Sequence, residues 1–396
     1  MASLSEKEIE QLVRRAASTD EETALAATRA LFRQVIEPNC DAFDPAAVAR
    51  YVVLFAKLIA DILPGYEAGA LSDRYQRIRK TRRYEGEPER VCVLSRVTLG
   101  ADVAVTSVLL DAAKRRFPQA EICLVGPPKN LELFAGDPRI SPLPVPYGRS
   151  GTLRDRLLAS QALRGAVDRP GTLVIDPDSR LTQLGLIPVG DDAQYLFFES
   201  RAYRSESGVP LSLLAAEWAR KTLNVANARA YLQPATLPES AAITISLGVG
   251  ENEEKRIGDE AEWAAVSKLA SLGHSILIDR GAGGEEAARV DRLMEKLQKP
   301  HNVRLHEGSF ASFAAQIMRS KLYFGYDSAG QHVAAASGVP LVTLFAGYAC
   351  ESTFARWRPS GAGPVYIVKA DGESAEELKE RLLSALTSAA EEAGLS

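Results

Sequence analysis

A pattern of short apolar segments, each followed by a helical stretch, runs through this chain twice and narrows its fold more than any other feature. The first series is Val91–Leu94, Glu121–Val125 and Thr172–Asp176. The second is Ala242–Leu247, Ser275–Asp279, Leu322–Tyr326 and Leu341–Phe345. Each run is too short for a helix, is rich in β-branched residues and ends in a glycine or polar turn, so each reads as a buried strand. Helical stretches at about 102–116 and 260–272 lie between them. Such alternation predicts parallel sheets covered by helices. Two series predict an α/β chain of two facing, doubly wound, Rossmann-like lobes, with ligands at the strand C-termini.

No strand signal precedes residue 90. Ser5 with Glu8 spells a capping box, and Asp44-Pro45 supplies an N-cap with proline at the first helical position. Tyr51 to Leu63 is too short for a membrane span and carries Lys57 and Asp61, so it reads as a buried amphipathic helix. The expected organisation is an N-terminal helical extension (1–85), a first lobe on the acceptor side (86–236), a second, nucleotide-sugar lobe (237–370), and a C-terminal helix (371–396) packing back towards the first lobe. The hinge is expected at Gln233–Pro238. Arg74, Arg77, Arg79, Lys80, Arg82 and Arg83 crowd one stretch. It reads either as a solvated connector or as an anion-facing patch.

A net charge of −4 asks for no nucleic-acid partner. Cys40, Cys92, Cys123 and Cys350 are scattered and form no CxxC pair, which argues against a disulfide framework or a zinc site. The opening residues lack the apolar core of a signal peptide. A cytoplasmic location is expected, with peripheral contact with the inner membrane surface as an option.

Four loops carry candidate chemistry. After the first strand, Arg96–Asp102 ends in a carboxylate at a helix start; Asp102 reads either as a general base or as a plain N-cap. Tyr326–Ala336 places Asp327, Ser328, Ala329, Gly330 and His332 at a strand-to-helix turn, whose free N–H groups suit a phosphate. His332 can add a hydrogen bond or a positive charge there, or be a core histidine. Gly248 and Gly250, with Lys255 beyond and Arg256 as its competitor, allow close approach to a diphosphate. Glu285, past a glycine turn, reads as a ribose contact or as an ordinary first-turn acid. Asp176, Asp178, Arg180 and Arg201 are candidate acceptor contacts near a strand exit.

Together, Arg96–Asp102 with Thr106 and Phe117-Pro118, the loop Gly248–Trp263, Gly308-Ser309-Phe310, Phe324–Ser328, His332, Gly338-Val339-Pro340 and Arg356–Gly361 resemble glycosyltransferase family 9, the ADP-heptose:lipopolysaccharide heptosyltransferases. The resemblance covers roughly residues 90–370. It implies a GT-B fold and an inverting transfer without a metal or cofactor, from a nucleotide-diphosphate sugar such as ADP-heptose to a glycan or lipid-linked acceptor. It implies Asp102 as the catalytic base. It places Lys255, Asp327, Ser328, Ala329, Gly330 and His332 on the donor phosphate. Gly248, Glu285 and Ser309 are further donor candidates, and Arg96 joins the four acceptor candidates above. The sequence departs from the family at Ala101 and Ala329, where Gly-Asp and Asp-Ser-Gly are usual. A catalytically silent nucleotide-sugar-binding scaffold is the competing reading.

Overall fold

The computed structural model describes residues 5–148, 150–203, 208–236, 241–250, 252–281, 283–370, 372 and 374–396. Lobe one holds an all-parallel sheet of β1 (Arg90–Leu94), β2 (Glu121–Gly126), β3 (Ile140–Pro144), β4 (Thr172–Asp176) and β5 (Tyr195–Phe197) in the order β3-β2-β1-β4-β5. Lobe two holds β6 (Ile243–Ser246), β7 (Ile276–Asp279), β8 (Val303–His306), β9 (Leu322–Tyr326), β10 (Leu341–Phe345) and β11 (Val365–Lys369) in the order β11-β10-β9-β6-β7-β8. The order reverses between β1 and β4 in the first sheet and between β6 and β9 in the second. Those switch points are where a doubly wound sheet opens a crevice.

Four long helices precede β1 among the described residues: α1 (Glu6–Ala16), α2 (Glu21–Leu31), α3 (Pro45–Ile62) and α4 (Ala68–Ile78), with a single helical turn, Glu37–Cys40, ahead of α3. The capping box forms, with Ser5 N donating to Glu8 Oε2 at 2.7 Å. Asp44 accepts the Ala47 N–H at 2.8 Å to start α3. A π-turn, Phe32–Ile36, follows α2 directly. The apolar faces of these helices (Leu31, Tyr51, Phe55, Ile59 and others) share one core with Leu94, Val125 and Leu157 of lobe one. The extension is thus a third layer on the first lobe.

The basic segment is divided: Arg77, Lys80, Arg82 and Arg83 are exposed, whereas Arg74 is buried and Arg79 half-buried. Arg74 Nε meets Asp192 Oδ1 at 2.6 Å and its Nη1 meets Gly185 O at 2.6 Å. Arg79 Nη2 pairs with Glu199 at 2.9 Å, and Arg82 reaches Ala193 O at 2.5 Å. These arginines strap the extension to the β5 side of lobe one, so their charge is used within the fold.

Between β1 and α5 (Ser107–Arg116) lies a π-turn, Asp102–Thr106. Lobe one ends on α6 (Leu153–Val167) and α7 (Leu211–Leu223), and lobe two carries α8 (Asp259–Ala270), α9 (Gly284–Lys296), α10 (Phe310–Ile317), α11 (Ala329–Ala336), α12 (Glu351–Trp357) and α13 (Ala375–Glu392). Of the expected hinge, Gln233–Thr236 is extended chain, and Leu237-Pro238 lies outside the described residues.

The C-terminal helix does not cross to lobe one. Leu378, Leu382, Leu386 and Ala389 of α13 pack with Val266, Leu269 and Val368 in the core of lobe two. Its apolar stripe recurs every four residues and needs one broad face, which α8 and the β10–β11 edge supply. The five residues between β11 and α13 reach only about 17 Å when extended. The crossing element is α12: Arg356 Nη1 donates to Val209 O at 2.6 Å, and Thr353 Oγ1 to Asp41 O at 2.8 Å.

Leu382 is fully buried. Leu382→Ala is expected to cost about 2–5 kcal/mol in urea denaturation; a loss below about 1 kcal/mol would mean that α13 is not docked.

Candidate functional site

The switch point of lobe two is built by two strand exits. After β9 the chain turns at Asp327-Ser328 into α11. Ser328 is extended, and its hydroxyl makes no capping bond, so the first-turn amides face the cleft uncapped. Lys255 Nζ donates to both the carbonyl and Oδ2 of Asp327, each at 2.9 Å. Gln331 holds the other carboxylate oxygen at 2.6 Å and is itself held by Thr343 Oγ1 at 2.8 Å. Arg256, the competing cation, is tied to Glu253 at 2.6 Å and to Leu247 O at 3.1 Å, so Lys255 is the one at the helix mouth. Ala329 has no positive φ and suits the helix start. Gly330 has no substitute: a Cβ there would lie 2.2 Å from the Tyr323 hydroxyl oxygen.

His332 is buried, and that burial, helped by the Lys255 charge and opposed by Asp327, pushes its pKa down to about 4. The imidazole is therefore neutral at pH 7 and contributes hydrogen bonding, which corrects the expectation of a positive charge. Its ring packs edge-on against Trp357 at 5.9 Å.

Two expected donor residues are placed elsewhere. Glu285 is exposed and pairs with Arg292 at 2.6 Å. The next residue, Glu286, faces the β6 exit instead, accepting Gly250 N at 3.2 Å beside Gly248. Consecutive helical residues point about 100° apart, so only one of the pair can face the glycines. Ser309 caps α10, accepting Ser312 N at 3.3 Å, and follows β8, two strands from β6.

At the switch point of lobe one, Asp102 is fully buried. Oδ1 accepts Arg96 N at 2.7 Å and Thr106 Oγ1 at 2.6 Å. Oδ2 accepts Ser95 Oγ at 2.6 Å and Asn130 Nδ2 at 2.5 Å. Burial raises its pKa despite these four bonds. In this arrangement both carboxylate oxygens are taken up by internal donors and brace the β1 exit. The π-turn at Asp102–Thr106 goes with this inward turn, since it adds a residue to the first helical turn.

Asp176 is also turned inward. It accepts Thr182 Oγ1 at 2.5 Å, Ser179 N at 2.7 Å and the Tyr195 hydroxyl, and burial pushes its pKa up to about 6. It braces the β4 exit and is not placed for an acceptor. Asp178 lies behind Arg201, 3.1 Å from Nη1. Arg96, Arg180 and Arg201 do come together, on one cavity of about 160 Å³. Trp357, Phe32, Glu37, Asp41 and Arg156 also line it. The sequence reading missed these five, because they come from distant segments that only the fold assembles. Val97, between Arg96 and Thr98, has a left-handed φ of 61°, rare for a β-branched residue. Backbone strain of this kind clusters at functional sites.

The lobes touch where the two exits meet. A Cβ on Gly100 would lie 3.1 Å from Ala329 Cα and 3.3 Å from His332 Cδ2. Among the described residues no group of three or more His, Cys, Asp or Glu is placed to hold a metal ion, and no helix is long and apolar enough to cross a membrane.

The low pKa of His332 has a definite sign. Against an unfolded value near 6.5, its neutral form favours the fold above pH 6.5, and that contribution, about 3 kcal/mol, is lost as pH falls towards 4. Histidine NMR titration is expected to leave the His332 imidazole neutral at pH 5, its signal being the one that His332→Gln removes. A His332 signal that titrates near 6.5 would contradict this.

Comparison with known proteins agrees with this geometry. Residues 210–381 match the family model "Glycosyltransferase family 9 (heptosyltransferase)". The lipopolysaccharide heptosyltransferase 3 of Escherichia coli is 32% identical over 103 residues, 26% of this chain and 29% of that protein. The chain therefore spans about 29% of the curated relative it matches. A family 9 glycosyl transferase from Veillonella parvula superposes with a TM-score of 0.55 at 17% identity, covering 77% of this chain and 99% of the other. E. coli heptosyltransferase WaaC with ADP-2-deoxy-2-fluoro heptose gives 0.57 at 16% identity, covering 76% and 99%. The same enzyme with ADP gives 0.56 at 16% identity, covering 75% and 99%. The two parallel sheets thus share the GT-B-like fold of these structures, and the family 9 match, residues 210–381, includes every strand of lobe two.

Proposed function

We propose that the chain is an inverting, metal-independent glycosyltransferase. It moves a sugar, with a heptose as the leading candidate, from a nucleotide-diphosphate donor on lobe two to a hydroxyl of a glycan or lipid-linked acceptor on lobe one. The observation that carries this reading is the opposition of the two switch points. The uncapped first turn of α11, with Lys255 at its mouth, meets the β1 exit across the Gly100–Ala329 contact. A departing diphosphate gains negative charge, and helix amides with an ammonium group are suited to that charge. Holding donor and acceptor on facing lobes turns a bimolecular encounter into an oriented one. The ADP-bound neighbours, which share the fold, and the lipopolysaccharide relative make ADP-heptose the first donor to try.

On this reading Asp102 takes the acceptor proton after giving up a bond from Ser95 or Asn130 and opening to the cleft. Its raised pKa suits a base once the site is reached. The saturation of Asp102 favours a second reading: a nucleotide-sugar-binding scaffold that performs no transfer.

ADP, UDP and GDP should be compared by thermal shift, and ADP release from ADP-heptose followed with a lipopolysaccharide core acceptor. ADP is expected to raise the melting temperature, and Lys255→Ala to weaken its binding about tenfold or more. Asp102→Asn is expected to keep ADP binding while slowing turnover at least about a hundredfold. ADP binding with no turnover would support the scaffold instead. No shift with any nucleotide would overturn both readings.

A further inference from the structure

The cavity at the lobe-one switch point has more positive charge than its own carboxylates offset. Four guanidinium groups line it (Arg96, Arg156, Arg180 and Arg201) against two carboxylates, Glu37 and Asp41, and a third, Asp178, sits behind Arg201 at 3.1 Å, which leaves one cation in excess. Arg96 and Arg201 are 4% and 8% exposed. Arg96 Nε, Arg180 Nη1 and Arg201 Nε have no hydrogen-bond partner among the described residues; Asp41 Oδ1, 3.5 Å from Arg201 Nε, is beyond a good bond. Buried polar nitrogens are normally paired, so three on neighbouring arginines mark a cluster short of acceptors. Two rings fix the guanidinium groups: Arg156 and Arg180 lie 4.1 and 5.6 Å from the Phe32 ring, and Arg96 lies 5.8 Å from Trp357. Burial and the neighbouring Arg201 charge bring the Arg96 pKa down to about 10, the mark of like charges held together.

We propose that this cavity binds a phosphate or carboxylate group of the acceptor, and that the N-terminal helical layer is thereby part of the substrate site. The proposal rests on the reading that the acceptor enters at lobe one. An oxyanion accepts from several guanidinium nitrogens at once, which a neutral sugar hydroxyl cannot do. The volume, about 160 Å³, equals the liquid volume of about five waters. It admits a small anionic end, with the sugar carrying the attacking hydroxyl reaching out past Trp357 towards α11. Phe32, Glu37 and Asp41 all belong to the extension, so this layer sets the size and charge that the acceptor end must have.

The test is a thermal-shift and calorimetric titration of the full chain, at fixed ionic strength, with inorganic phosphate, glucose 6-phosphate, glucuronate and glucose. Inorganic phosphate and glucose 6-phosphate are expected to bind if the group is a phosphate, glucuronate if it is a carboxylate, and glucose in neither case. Arg180→Ala is expected to weaken the anion about tenfold or more while keeping the ADP response, which shows that the variant is folded and lobe two intact. Glu37→Gln, which removes a repelling charge, should tighten the anion. Binding that survives Arg180→Ala, fails in Lys255→Ala instead, or does not discriminate against glucose would overturn the proposal, as would no anion binding at millimolar concentration. An ADP response without an anion response rejects the cavity alone, and the reverse rejects the donor reading alone.

Discussion

The Asp102 carboxylate is enclosed by the β1 exit, the π-turn that follows it and Asn130 beyond β2, and the shape of the cleft follows from that enclosure. A lone carboxylate so deep in the fold would be strongly unfavourable, and four donors, two on each oxygen, make it tolerable. The bond from the Arg96 N–H fixes the backbone path that carries Val97 into its left-handed conformation. It also directs the Arg96 side chain towards Pro177 O and Ser200. Through Arg96 the brace reaches β4, where Asp178 positions Arg201 in turn. One sealed carboxylate thus helps to position the arginines of the cavity.

The helical layer adds to this by using arginine in two ways. Along α4 and the irregular chain that follows, guanidinium groups find carboxylates or carbonyls and act as fasteners. Beyond α2, Arg156 and Arg180 of lobe one lie against Phe32, and Arg180 keeps a donor to spare. The difference lies in supply. Asp192 and Glu199 serve the first group, whereas Glu37 and Asp41 are too few for the second.

The central strands were legible in the sequence because both of their faces are buried, which leaves an unbroken apolar run. β3, with Pro142 and Pro144, and β8, with Arg304 and His306, lie at sheet edges, where exposure and proline are tolerated and the run breaks up. The strand-to-helix turn at Asp327–Gly330 was legible because a strand, small polar residues and a helix follow one another locally. The inward direction of Asp102 and Asp176 was not, since a carboxylate at a strand exit looks the same whether it faces the cleft or the core. Glu285 was preferred to Glu286 for want of helix phase. The direction of α13 was misjudged because amphipathic periodicity shows that a helix has a buried face and says nothing of which lobe receives it. The arginine cavity draws on positions 32 to 357 and has no local signature.

Trp357 stands between the two halves of the site, with the His332 ring on one side and the Arg96 guanidinium on the other. It closes α12, the helix that ties lobe two to lobe one and to the extension. On the proposed reading a donor and an acceptor reach this indole from the two lobes, and any coupling through it is reciprocal: the factor that a donor adds to acceptor affinity is the factor that the acceptor returns to the donor.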